Sequence, residues 1–281
     1  MERQKLHIQK NTLQETLILP LYARKLCMEL FPSLYHDPGT TEIVERLDYD
    51  SSNIDKKTSN IVQRYGALEI AMRQIDLAIE VKEYLSRHPN AAVINMGCGL
   101  DQTAESCDNG TCKIYNIDRS EIIAVRNEMI PEKDRVTNIA CDLNDISWFD
   151  KIDDEGGSVF FAAGVFYYFQ IIEVQNLINR MAQRFRGGKM LFDMSGKTAI
   201  KLLLMKTADL EGKSDPKDYF YVDSLEENVL PWLKNAKASQ KGYMLGYKNL
   251  KDHSIPCVYR FMAKIGDDKL KIRIFRIDFD S

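Results

Sequence analysis

The stretch that most constrains the fold runs from Ala91 to Asp101. Ala91 to Asn95 is a short apolar run rich in β-branched residues, and it opens into a loop carrying Gly97 and Gly99. This pattern predicts a buried parallel strand over 91–96, then a turn into a helix near Gln102. Glycine lets the backbone come close to a ligand where any Cβ would intrude. A second apolar run ends at Asp118, about twenty residues after Gly97, the placement that lets an acid accept hydrogen bonds from a ribose diol. A third run, from Val136, ends in Asp142-Leu143, an acceptor for an exocyclic amine beside an apolar wall for a base.

A ribose diol belongs equally to a dinucleotide and to S-adenosylmethionine. The third glycine of the dinucleotide fingerprint would fall at Gln102 and is missing, which counts against a pyrophosphate. The order and spacing of Met72 to Asp76, Gly97 to Asp101, Ile117-Asp118, Asp142-Leu143 and Ala163 to Tyr168 resemble the class I S-adenosylmethionine-dependent methyltransferases. Within that class the resemblance is to the leucine carboxyl methyltransferase and tetracenomycin polyketide O-methyltransferase family, over roughly residues 20 to 195. It implies that Arg73 pairs with the carboxylate of the methionine moiety, which a guanidinium fork suits bidentately. Gly97, Gly99, Asp118, Asp142, Leu143 and Ala163 would complete the cofactor site. Tyr168 matches the family tyrosine. Ala163 stands where the family usually carries a glutamate, which puts in doubt whatever contact that acid would make.

The chain has 281 residues and a formal charge of −3, with no basic stripe, which argues against nucleic acid. Its longest apolar run, Ser158 to Phe169, is too short to cross a membrane. The six cysteines form no C-x-x-C pair and, with no secretory signal at Met1 to Lys5, read as reduced thiols of a cytoplasmic protein. The sequence is silent on oligomeric state.

Read in order, the whole chain forms one methyltransferase domain. Residues 1–90 form a helical amino-terminal cover. Thr12 to Leu30 predicts a helix kinked at Pro20, Thr41 to Leu47 a short helix, and Ile61 to Ser86 a long one. Residues 91–196 form the cofactor-binding core, with strands at 91–96, 112–117, 136–141, 158–163 and 188–194. Residues 197–254 form an acceptor-side insertion, with helices over Ala199 to Leu210 and Leu225 to Leu233. Residues 255–281 predict a β-hairpin whose arms, Cys257 to Ile265 and Lys269 to Phe279, flank Gly266. A slip of apolar phase at Ile274 and Phe275 predicts a β-bulge. The expected architecture is α/β and Rossmann-like, a mostly parallel seven-stranded sheet closed by that antiparallel hairpin.

The expected chemistry is S-adenosylmethionine-dependent O-methylation of a hydroxyl or carboxyl group on a small molecule. The cofactor carries the activation, so the chain must mainly hold the acceptor in line. A carboxylate acceptor needs no base, whereas a phenol or alcohol benefits from one. Tyr168, His253 and Asp193 are the candidates for that role, and Tyr167 is a candidate for the acceptor wall. Asp118 and Asp142 each have a plainer reading as a helix cap or a turn former. Two other functions remain open: an NAD(P)-dependent oxidoreductase, and a module that binds S-adenosylmethionine without catalysis.

Overall fold

The five apolar runs of the core become five parallel strands. They are β1 (Ala92–Met96), β2 (Lys113–Asp118), β3 (Val136–Ala140), β4 (Ser158–Ala162) and β5 (Lys189–Met194). The computed structural model describes residues 5–7, 17–49, 60–207, 219–247, 250 and 255–281. Two further strands, β6 (Ala236–Gly242) and β7 (Arg273–Phe279), join the same sheet antiparallel, giving the order β3-β2-β1-β4-β5-β7-β6. The chain builds outward from β1 to β3, then returns to place β4 on the other side of β1. That reversal opens a crevice at the carboxyl ends of β1 and β4, where α/β sheets hold ligands.

Every residue of β1, β4 and β5 is buried, because helices cover both faces of the sheet. Ala92, Ile94 and Met96 enter one core with Trp148, Phe160 and Phe185, whereas Val93 enters another with Leu68, Met72 and Val81. This two-sided burial is why the strands read as continuous apolar runs without alternation. Each large side chain so enclosed contributes about 1.5–3 kcal/mol.

The main helices are α1 (Ile18–Leu30), α2 (Pro38–Arg46), α3 (Ile61–Arg87), α4 (Ser120–Met129), α5 (Ile171–Arg184), α6 (Lys197–Thr207) and α7 (Cys257–Ile265). Asn60 caps α3 through Val62 N, and Asp37 caps α2 with Pro38 in its first turn. The tips of β1, β2 and β4 thus lie beside the side chains of α1 and α3 that line the crevice.

Pro20 lies in the first turn of α1, where proline is tolerated because no amide donor is needed; residues 8–16, through which the predicted kinked helix would run, lie outside the described residues. Three expectations are corrected. Cys257–Ile265 is the helix α7, not a strand. Pro256 starts it, and Tyr259 and Ala263, four apart, are its buried face. The antiparallel partner of β7 is instead β6, an edge strand with only half-buried positions on one side, whose polar residues hid it from an apolar-run search. No bulge interrupts β7, whose register against β6 is unbroken from Arg273 to Phe279. Ile274 and Phe275 are both buried because β7 lies inside the sheet with both faces covered, so adjacent apolar residues need no slip.

Candidate functional site

The loop after β1 turns through two left-handed glycines, Gly97 at φ 64° and Gly99 at φ 48°. A Cβ on Gly97 would lie 2.6 Å from Val165 Cγ2, so only glycine fits there. Its amide and that of Cys98 donate to Ile117 O at 2.8 and 3.1 Å, tying the loop to the end of β2. Cys98 is buried, which pushes its thiol up in pKa and makes it a filler of the loop.

Asp118 sits at the tip of β2 and lines the cleft. Its Oδ2 accepts the Gly99 amide and its Oδ1 the Arg119 amide, each at 2.8 Å. Burial raises its pKa, although both amides act to lower it. Each oxygen keeps a lone pair beyond the backbone bond it accepts. The capping role and the ligand-facing role are therefore compatible in one side chain.

Past β3, Asp142 is exposed and its Oδ1 accepts the Asn144 amide at 2.9 Å, the turn-forming bond expected of it. Leu143 is buried, and its carbonyl accepts Trp148 Nε1 at 3.3 Å. Trp148 is itself enclosed by Phe149, Phe160 and Phe185. Asp142 and Leu143 line the same cleft, of about 290 Å³, as Gly97, Gly99 and Asp118.

Arg73, Ala163 and Tyr168 stand on the other side of that cleft. Arg73 Nη1 donates to Asp193 Oδ2 at 3.3 Å, its Nε is buried without a partner, and 15% of its side chain stays exposed. Asp193, at 3% exposure on β5, also takes the Gly164 amide at 2.6 Å and the Tyr167 hydroxyl. Gly164 is left-handed at φ 72°, and a Cβ there would collide with the Arg73 guanidinium. Burial alone would depress Arg73, but Asp193, Tyr243 and Tyr167 raise it, so the guanidinium stays charged.

Two members of this cluster went unnoticed in the sequence. Tyr243, from the turn after β6, is buried and donates its hydroxyl to Glu69 O at 2.7 Å. The Glu69 carboxyl, one turn before Arg73 on α3, is pushed up to about 7 by burial, with Arg73 opposing and Asp193 reinforcing. Its position four residues from Arg73 was the only available signal.

The acceptor-side candidates separate. Asp193 holds the Arg73 guanidinium, the Gly164 amide and the Tyr167 hydroxyl and is not among the residues that line the cleft. Tyr167 donates its hydroxyl to Asp193 and does not line the cleft, and burial raises its pKa well above the ordinary value. Tyr168 is 42% exposed at the cleft rim. Phe220 N donates to Phe169 O at 2.9 Å, which brings the segment after residue 218 to that rim. His253 lies outside the described residues.

A family model described as leucine carboxyl methyltransferase matches residues 23–182. The tetracenomycin polyketide synthesis O-methyltransferase TcmP of Streptomyces glaucescens is 26% identical over 180 residues, 64% of each chain. The match therefore spans just under two thirds of the length of that relative. The S-adenosyl-L-methionine-dependent methyltransferase dpfgK of Gibberella zeae is 24% identical over 209 residues, 68% of each chain. A Thermobifida fusca YX structure, provisionally described as a methyltransferase, superposes with a TM-score of 0.60 at 10% identity, over 98% of this chain and 97% of that one. The fold of this chain is shared with it.

Proposed function

Because this chain belongs to the leucine carboxyl methyltransferase family, we propose that it transfers a methyl group from S-adenosylmethionine to an oxygen, hydroxyl or carboxyl, of a small-molecule acceptor. One observation carries the reading: a single cleft at the strand tips joins Arg73, the glycine loop, Asp118 and the Asp142-Leu143 pair. The donor set suits the cofactor. Asp118 would take the ribose hydroxyls, Asp142 and Leu143 the adenine, and Arg73, whose Nε lacks a partner, the methionine carboxylate. When bound, S-adenosylmethionine supplies a methyl group already activated on a sulfonium.

The protein's own part is then to orient and to exclude water. Tyr168 at the rim would meet the acceptor, and its hydroxyl can donate to or accept from an oxygen there. The neighbouring segment from Tyr219, bridged to Gln170, supports an acceptor-side role for residues 197–254. The glutamate missing at Ala163 leaves the buried carboxylate of this region on β5, at Asp193, where it serves Arg73. We read the whole chain as one methyltransferase domain. The tetracenomycin relative, an O-methyltransferase of polyketide synthesis, supports a small molecule over a protein terminus.

Calorimetry with S-adenosylhomocysteine and NAD, followed by labelled-methyl transfer to a panel of phenols, alcohols and carboxylic acids, tests this. Micromolar binding of S-adenosylhomocysteine and not of NAD, with label on one acceptor class, is expected. Binding of NAD instead would overturn the reading. Binding of S-adenosylhomocysteine with no transfer to any acceptor would favour a silent module.

A further inference from the structure

Three consecutive carbonyls of the glycine loop, those of Gly99, Leu100 and Asp101, are each taken by a buried arginine. Arg126 Nη1 donates to Gly99 O at 3.0 Å and to Asp101 O at 2.8 Å. Arg24 Nη2 donates to Leu100 O at 3.4 Å. Arg24 is 3% exposed and Arg126 fully buried. Arg24 lines the cleft, whereas Arg126 stands behind the loop, on α4.

A guanidinium in such a place is costly, and replacing a buried ion pair by apolar groups often leaves stability unchanged or improved. Stability alone is thus a poor reason for Arg126. What it adds is geometry. Its Nη2 is fixed by Glu105 Oε1 at 2.6 Å, and that oxygen also accepts Asn116 Nδ2 at 3.0 Å from the middle of β2. Asn116 passes the contact to Asn138 of β3, and Asn138 to Asn127, the residue after Arg126. The loop is held from its far side by a polar chain rooted in two strands and one helix. From the cleft side Asp118 holds the Gly99 amide. Gly99 therefore has its N–H gripped by one residue and its C=O by another, which leaves its peptide groups little freedom to rotate.

We propose that Arg126 is a positioning residue for the cofactor: it never touches the ligand, but it fixes the backbone that faces it. Resting on the S-adenosylmethionine reading above, this inference concerns how the loop reaches its binding form. Without the clamp the two carbonyls lose their donors, the left-handed turn at Gly99 samples other conformers, and affinity falls by the fraction of molecules no longer competent to bind.

The test compares the full chain with Arg126→Lys, which keeps the charge but lacks the fork, and with the double change Arg126→Met and Glu105→Gln, which leaves no buried charge unpaired. Affinity for S-adenosylhomocysteine is read by calorimetry well below the melting temperature of each, and amide exchange is followed over residues 97–101 and over the β5 strand. The expected result is a loss of at least tenfold for the double variant and an intermediate loss for the lysine. Faster exchange should be confined to the loop. Folded variants that bind within twofold of the parent, or faster exchange spread equally over β5, would overturn the proposal and leave Arg126 as packing. A parent chain that does not bind S-adenosylhomocysteine overturns the cofactor reading itself, and this inference with it. If the double variant does not fold, the lysine variant decides by the same two readouts.

Discussion

The carboxylate of Asp118 accepts the amide of Gly99 at 2.8 Å, so the acid at the tip of β2 and the glycine beyond the tip of β1 form one hydrogen-bonded unit. Whatever displaces the acid also frees the loop. The position of that acid and the shape of the loop are therefore a single property of the cleft.

Asp118→Asn should weaken S-adenosylhomocysteine by tenfold or more, about 1.4 kcal/mol. The amide has one acceptor oxygen for two backbone donors, and its NH₂ group must face one of them. Calorimetry at neutral pH reads the loss, and unchanged affinity would reduce Asp118 to a loop tie.

Arg73→Ala should cost affinity for S-adenosylhomocysteine while leaving that for 5′-methylthioadenosine, which lacks the amino-acid tail, nearly untouched. The ratio of the two dissociation constants is the observable. Should both ligands weaken equally, Arg73 does not meet a carboxylate. Some thermal destabilisation accompanies the change, because Asp193 is left buried without its cation.

Glu69 imposes a pH dependence. Its folded pKa of about 7 lies above the ordinary 4.5, so between those values the folded chain holds a proton that the unfolded chain has released. Stability falls as pH rises through that window and levels off above it. Glu69→Gln should remove on the order of 2 kcal/mol of that fall, discounted for solvent reaching a half-buried group. Urea unfolding at pH 5, 6, 7 and 8 measures it. Asp267, pushed up to about 6 by burial, should leave a smaller fall at the lower end, and parallel curves for parent and variant would refute the assignment.

Trp148→Phe should destabilise by about 1–3 kcal/mol, since the site is fully buried and the indole bond to Leu143 O is lost. The same change should weaken S-adenosylhomocysteine several-fold through the loosened Asp142-Leu143 turn. A variant with reduced melting temperature but parent affinity would show that this turn holds without the indole.

The strand-tip residues Gly97, Gly99, Asp118, Asp142 and Leu143 were legible because their signals are local. Each ends or follows a strand, and where that strand is buried on both faces, as β1 is, its apolar run announces its own boundaries; β3, an edge strand with only Ile139 buried, is marked by its spacing from the others. Arg73 was found only through family resemblance, since one arginine beside a helical stripe carries no mark of what it meets. The end of the chain was misread for the opposite reason. Residues 257–265 fit a strand as well as a helix, and the choice fell to Tyr259 and Ala263 packing as one face of α7.

The arrangement of the tips follows from order and spacing along the chain, because strand, glycine turn and acid are neighbours there and sterics act over a few residues. The long-range arrangements do not. Asp193 reaches Arg73 across 120 positions, Tyr243 reaches Glu69 across 174, and Arg126 closes on Gly99 across 27. The first two contacts exist only once α3 packs against the sheet beside β5 and the turn after β6, and the third only once α4 packs behind the glycine loop. Burial then turns ordinary polar side chains into partners that must satisfy one another. That demand is a property of the packed molecule, and no stretch of sequence carries it alone.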